Sequence, residues 1–116
     1  MRDRKTELLP CNHSGNGYYR GVIVRFADKE TQKVFRQEFS KKLPRDIQIS
    51  AYRKLLVLDA LTGIQELWRF PGLKAEKLGG NRVGQWSIRI NAQWRICFLW
   101  NETPPEASAV EITDYH

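Results

Sequence analysis

The segment Trp86-Ser87-Ile88-Arg89-Ile90-Asn91-Ala92-Gln93-Trp94-Arg95-Ile96-Cys97-Phe98-Leu99-Trp100 alternates apolar and polar residues on either side of a short break. A period of two sorts side chains onto opposite faces of a strand, so Trp86, Ile88 and Ile90 share one face while Ser87, Arg89 and Asn91 share the other. In the second half Trp94, Ile96, Phe98 and Trp100 align, leaving Gln93, Arg95, Cys97 and Leu99 opposite. Asn91-Ala92 is short enough for a tight connection between two antiparallel strands. Such a hairpin sets Arg89 near Arg95 on the face turned away from the apolar set.

On the C-terminal side, Pro104-Pro105 reads as a loop and Ala109 to Thr113 as a closing strand that ends in Asp114-Tyr115-His116. On the N-terminal side, Gly79-Gly80-Asn81 is a turn and Lys74 to Leu78 a further strand. Before Phe70-Pro71-Gly72 the period changes. Ile64 to Trp68 makes a short helical turn, and Ile47, Ala51, Leu55 and Leu58 recur at helical spacing after Pro44, with Asp46 as the cap and Gly63 as a left-handed stop near Thr62. Val34, Phe35 and Phe39 give a helical stripe through Lys29 to Ser40, following an Ala27-Asp28 turn and cap. The β-branched run Val22 to Phe26 suits a first strand. A strand, two helices and an antiparallel meander make an α+β fold, with the helices on one face of the sheet.

The 116 residues leave room for one domain, which we place at 21–116 behind a polar leader at 1–20. Hydrophobic residues at 41% and charged residues at 28% exclude disordered, collagen-like and coiled-coil chains. Nineteen Lys and Arg against 13 Asp and Glu give a net charge of +6, which favours an anionic partner. The excess sits in residues 21–78, with 12 basic against 7 acidic residues, whereas residues 79–116 carry 3 against 4. Cys11 and Cys97, with only His13 and His116 beside them, support neither a disulfide framework nor a structural zinc site. The N-terminus lacks the apolar core of a secretory signal, and no uncharged apolar run approaches the ~20 residues needed to span a bilayer. A reducing aqueous compartment, the cytoplasm, follows as the expectation.

Two guanidiniums at Arg89 and Arg95 repel one another unless an anion lies between them, and a phosphate fits the guanidinium fork in a bidentate way. On pattern alone, the simpler reading is a pair of surface arginines that meet Glu111 or Asp114. Asp114-Tyr115-His116 combines a carboxylate, a phenol and an imidazole, the last able to act as acid and base near neutrality. Its plain alternative is a frayed chain end. Gly79 to Gly84 matches neither the Walker nor the dinucleotide spacing and reads as a turn carrying Arg82. Cys97 is a small filler, and His13 has no role.

Together, Leu78 to Phe98 (Leu-Gly-Gly-Asn-Arg-Val-Gly-Gln-Trp-Ser-Ile-Arg-Ile-Asn-Ala-Gln-Trp-Arg-Ile-Cys-Phe) and Val110-Glu-Ile-Thr-Asp-Tyr-His116 closely resemble HigB-type toxins of the RelE superfamily. Arg53 to Ala60 resembles the family's second helix, so the likeness runs from about Val22 onward. The resemblance implies a small α+β ribonuclease, without metal or cofactor, that cuts mRNA in the ribosomal A site through attack of the RNA 2′-hydroxyl. It also implies neutralisation by a HigA-type helix-turn-helix antitoxin, with operator DNA reached only through that complex and no membrane partner. Carried over by position, Arg95 stands at the phosphate, and Asp114, Tyr115 and His116 form the catalytic end with His116 as acid/base. Arg89, Asn91, Arg82 and Lys77 are RNA-binding candidates. Several relatives have Leu-Lys-Gly where this chain has Leu78-Gly79-Gly80, so a lysine charge is missing at Gly79. With the resemblance, the surface and frayed-end readings give way for Arg95 and His116. A non-catalytic RelE-like module that binds ribosomal RNA, antitoxin or operator DNA is the competing reading. A generic DNA-binding domain ranks last, because no helix concentrates Arg, Asn and Gln.

Overall fold

The computed structural model describes residues 21–114, so the leader at 1–20 and the candidate residues Tyr115 and His116 lie outside the described residues. The alternating segment forms the centre of a four-stranded antiparallel sheet. Its strands, β1 (Glu76–Lys77), β2 (Gln85–Arg89), β3 (Trp94–Glu102) and β4 (Pro105–Asp114), lie in the order β1-β2-β3-β4. Ile88, Ile96 and Ile112 are successive cross-strand partners, all buried on the face that meets the helices. The helices are α1 (Lys29–Phe35) and α2 (Arg45–Asp59).

The spacing read from α2 holds, since Ile47, Ala51, Leu55 and Leu58 are all buried in one cluster with Val34, Phe35, Phe98 and Val110. Each large aliphatic side chain buried there contributes ~1.5–3 kcal/mol against the entropy of ordering the chain. The ends of the helices differ from expectation. α1 stops at Phe35, not Ser40, because Gln37 turns left-handed at φ 62°. Its N–H reaches Val34 O at 3.0 Å and the Glu38 N–H reaches Lys33 O at 2.8 Å, which satisfies the last carbonyls of the helix. Phe39 therefore leaves the helical stripe and stays 53% exposed, with the Arg45 guanidinium 5.0 Å above its ring.

The cap of α2 is Pro44, and Asp46 lies inside the first turn, where its charge complements the helix dipole. The helix ends at Asp59. Glu66 accepts both the backbone N–H and the hydroxyl of Thr62, which draws the chain into a 3₁₀ helix over Ile64–Arg69. Gly63 enters that turn with an extended backbone at φ −168°, so it is not the left-handed stop expected of it.

The first strand is reduced to two isolated parallel bridges to β4, Ile23 with Ala107 and Phe26 with Val110. The reason lies in β4. Between the pairs Cys97–Glu111 and Leu99–Ser108 that strand carries one extra residue, and Ala109 adopts φ 50°. This bulge falls between the two bridges and interrupts a continuous ladder. The segment is nonetheless anchored. Asp59, at the end of α2, accepts the Val22 N–H on its carbonyl oxygen and the Ile23 N–H on Oδ1, both at 2.9 Å. A Cβ at Gly21 would stand 1.9 Å from the Asp59 carboxylate, so only glycine fits that approach.

Candidate active site

The sheet face turned away from the helices carries the polar half of the alternation. Glu76, Ser87, Cys97 and Glu111 are consecutive cross-strand partners and make one row across all four strands. Arg89, Arg95 and Thr113 make the next row. The two arginines thus stand side by side, as the hairpin reading expected, with like charges directly opposed.

Arg95 is well held. Its Nη1 donates to Ser87 Oγ at 3.2 Å and to the Lys74 carbonyl at 3.5 Å, and lies 3.8 Å from Glu76 Oε2. Its side chain is only 13% exposed. A guanidinium so covered is oriented by its neighbours rather than by solvent, which is the preorganisation that charge stabilisation in a reaction requires. Arg82, on the turn before β2, reaches across the face, its Nη1 donating to Gln85 Oε1 at 2.9 Å and to Glu111 Oε1 at 3.2 Å.

Cys97 is buried on the floor between these groups. Burial pushes its thiol up from its ordinary value, Arg82 pulls it down, Glu111 pushes it up again and Arg95 pulls it down, with burial prevailing. A protonated, buried thiol is a poor nucleophile, so Cys97 is a packing residue here.

Other candidates fall elsewhere. Lys77 pairs with Trp86, and its Nζ lies 5.7 Å from the indole centroid on the helix-side face, away from the arginines. The register of β1 gives the place opposite Ser87 to Glu76 instead. Asn91 Oδ1 accepts the N–H groups of Gln93 and Trp94, both at 2.8 Å, so this side chain builds the hairpin that orients Arg95. Asp114 is the partner of Trp94, not of Arg95, and accepts from Gln93 Nε2 at 2.9 Å. Sequence reasoning put Ser87 on this face but gave it no role, did not single out Glu76 or Gln85, and treated Glu111 only as a surface partner for arginine. Their alternation placed Ser87 and Gln85 there, while the carboxylates enter through strand register. Among the described residues no cluster of three His, Cys, Asp or Glu side chains is placed to hold a metal, and no helix is long and apolar enough to cross a membrane.

Helices on one side of a four-stranded antiparallel meander and an arginine-bearing face on the other make an α+β architecture. The chain aligns with a solved YoeB/ParE toxin from Agrobacterium tumefaciens at a TM-score of 0.50, covering 81% of this chain and 98% of that one; at 20% identity the likeness is one of fold. Residues 24–116 match the HigB-like toxin family, described as the RelE-like toxin of the type II toxin–antitoxin system HigB, and the chain belongs to that family. It is 36% identical over 80 residues to Toxin HigB-1 of Vibrio cholerae serotype O1, covering 68% of this chain and 84% of that protein. It is 30% identical over 95 residues to Endoribonuclease HigB of Proteus vulgaris, covering 82% of this chain and all of that one.

Proposed function

We propose that the chain is an endoribonuclease that cuts mRNA on the ribosome, as the toxin of a type II pair restrained by a HigA-type antitoxin. The carrying observation is the arginine arrangement. Arg95 is oriented by Ser87, Lys74 and Glu76, Arg89 stands beside it, and Arg82 is held across the same face. Such a set recognises a phosphodiester by its charge and its planar donors.

In the proposed reaction the ribose 2′-hydroxyl attacks the neighbouring phosphorus while a base removes its proton. The P–O5′ bond breaks as the leaving oxygen takes up a proton, giving a 2′,3′-cyclic phosphate and a 5′-hydroxyl. Arg95 neutralises the charge that grows on the non-bridging oxygens. His116 moves the protons, with Asp114 and Tyr115 adjacent in sequence. This chemistry draws on side chains alone. The basic surplus of residues 21–78 supplies long-range attraction to ribosomal RNA, whereas the cutting face uses few arginines. The cytoplasm is the compartment this reading requires, and operator DNA is reached only through the antitoxin.

Mapping RNA 5′ ends after induced expression tests the reading. New ends within translated messages are expected. Stalled translation without new ends would overturn the nuclease in favour of a binding module.

Gly79 offers a second handle, because a Cβ there meets no atom within 4 Å and its backbone, at φ −123°, accepts any residue. Gly79→Lys, which restores the charge found in relatives, should leave the melting temperature unchanged and raise cleavage by about three- to tenfold, the effect of roughly 1 kcal/mol on the barrier. Single-turnover cleavage on mRNA-programmed ribosomes measures it, and an unchanged rate would show that this charge is not needed here.

A further inference from the structure

We infer that Glu111 is a positioning residue that, with Gln85, holds Arg82 in place to bind an RNA phosphate beside the scissile one. The inference rests on the reading of this face as the RNA-cutting site. Both ties fall on one nitrogen of Arg82, Nη1, at 2.9 Å from Gln85 Oε1 and 3.2 Å from Glu111 Oε1. The Nε and Nη2 donors of Arg82 have no partner among the described residues. One corner of the guanidinium is therefore fixed, and the rest of its fork remains available for a second anion.

Stability does not account for this arrangement. The side chains of Arg82 and Glu111 are 35% and 32% exposed, and ion pairs with that much solvent contact add little to folding. The pair does span the sheet, from the turn before β2 to β4, passing over buried Cys97. Arginine loses substantial rotamer freedom when it binds a ligand, and a tether that removes part of that freedom beforehand lowers the cost of binding. The tether also neutralises Glu111, which would otherwise repel RNA from a face built to attract it.

The test uses the full chain and a fluorescein-labelled single-stranded RNA oligonucleotide at several salt concentrations, with cleavage on programmed ribosomes measured in parallel. Arg82→Ala should weaken binding by about tenfold and reduce the salt slope by about one phosphate contact. Glu111→Ala should weaken binding by about three- to fivefold and raise KM with little change in kcat, whereas Glu111→Gln, which keeps an acceptor for Nη1, should retain most of the affinity. The sign is diagnostic. A carboxylate that merely repels RNA gives tighter binding when removed, so weaker binding supports positioning. In the Arg82→Ala background Glu111→Ala should cause no further loss of binding, because its positioning role passes through Arg82 and removing the bare carboxylate only relieves repulsion of the RNA. Gln85→Ala should show the same dependence from a different strand, which covers the case of a Glu111 variant that fails to fold. Tighter or unchanged binding in the Glu111→Ala chain, or additive losses with Arg82→Ala, would overturn the proposal. If wild-type protein binds RNA but does not cut it, the nuclease reading falls while the coupling in binding still decides the role of Glu111.

Discussion

Arg95→Ala is expected to reduce RNA cleavage by about two to three orders of magnitude, the typical cost of removing one preorganised donor from a developing negative charge. The loss should come without unfolding. Glu76, which sits 3.8 Å from Arg95 Nη1, has a side chain 47% exposed, so losing that guanidinium leaves no carboxylate sealed away from water. The Ser87 hydroxyl can rotate toward another acceptor. Arg95→Lys separates charge from shape. It keeps the cation but loses the planar fork, and should fall between alanine and wild type. Single-turnover rates on programmed ribosomes, read beside thermal melts, check both variants. An alanine variant that keeps more than about a tenth of the wild-type rate would remove Arg95 from the phosphate, since that residue activity corresponds to under ~1.4 kcal/mol of barrier.

The place of Arg95 was legible because two strands of period two joined by a tight turn admit few registers. Asn91 closes that turn with two hydrogen bonds, and Arg89 meets Arg95 as alternation required. The core stripe of α2 was legible for the same kind of reason, as helical spacing of Ile47, Ala51, Leu55 and Leu58 forces one buried face.

What the sequence hid was irregular backbone. Nothing marks Gln37 or Ala109 as left-handed, since glycine or asparagine is the usual signal, yet one ends α1 early and the other breaks the pairing of Val22 to Phe26. Lys74, also left-handed at φ 44°, shortens the first strand of the sheet to Glu76–Lys77. That shift has a functional consequence. Adjacent residues of a strand face opposite ways, so the register that gives Glu76 to the arginine face gives Lys77 to Trp86. Lys77 therefore lies over Trp86, while Arg82, tied to Glu111, lies on the face that carries Arg95.

His116→Gln is expected to cost cleavage about 10²- to 10⁴-fold, the usual contribution of a positioned acid or base. Glutamine keeps a polar, hydrogen-bonding side chain but cannot exchange a proton near neutral pH. The two variants should therefore fail in different ways. Without Arg95 the reaction loses charge stabilisation at every pH, so the rate profile moves down without changing shape. Without His116 the profile loses the limb that proton exchange by the imidazole imposes near neutral pH. If both groups serve one transition state, the double variant should be little worse than the poorer single variant, since residues that act as a unit are strongly non-additive. Growth after induction gives the coarse readout and the pH dependence of single-turnover cleavage the fine one. Growth arrest that survives both substitutions, with new RNA 5′ ends still forming, would place the chemistry on other residues of the chain.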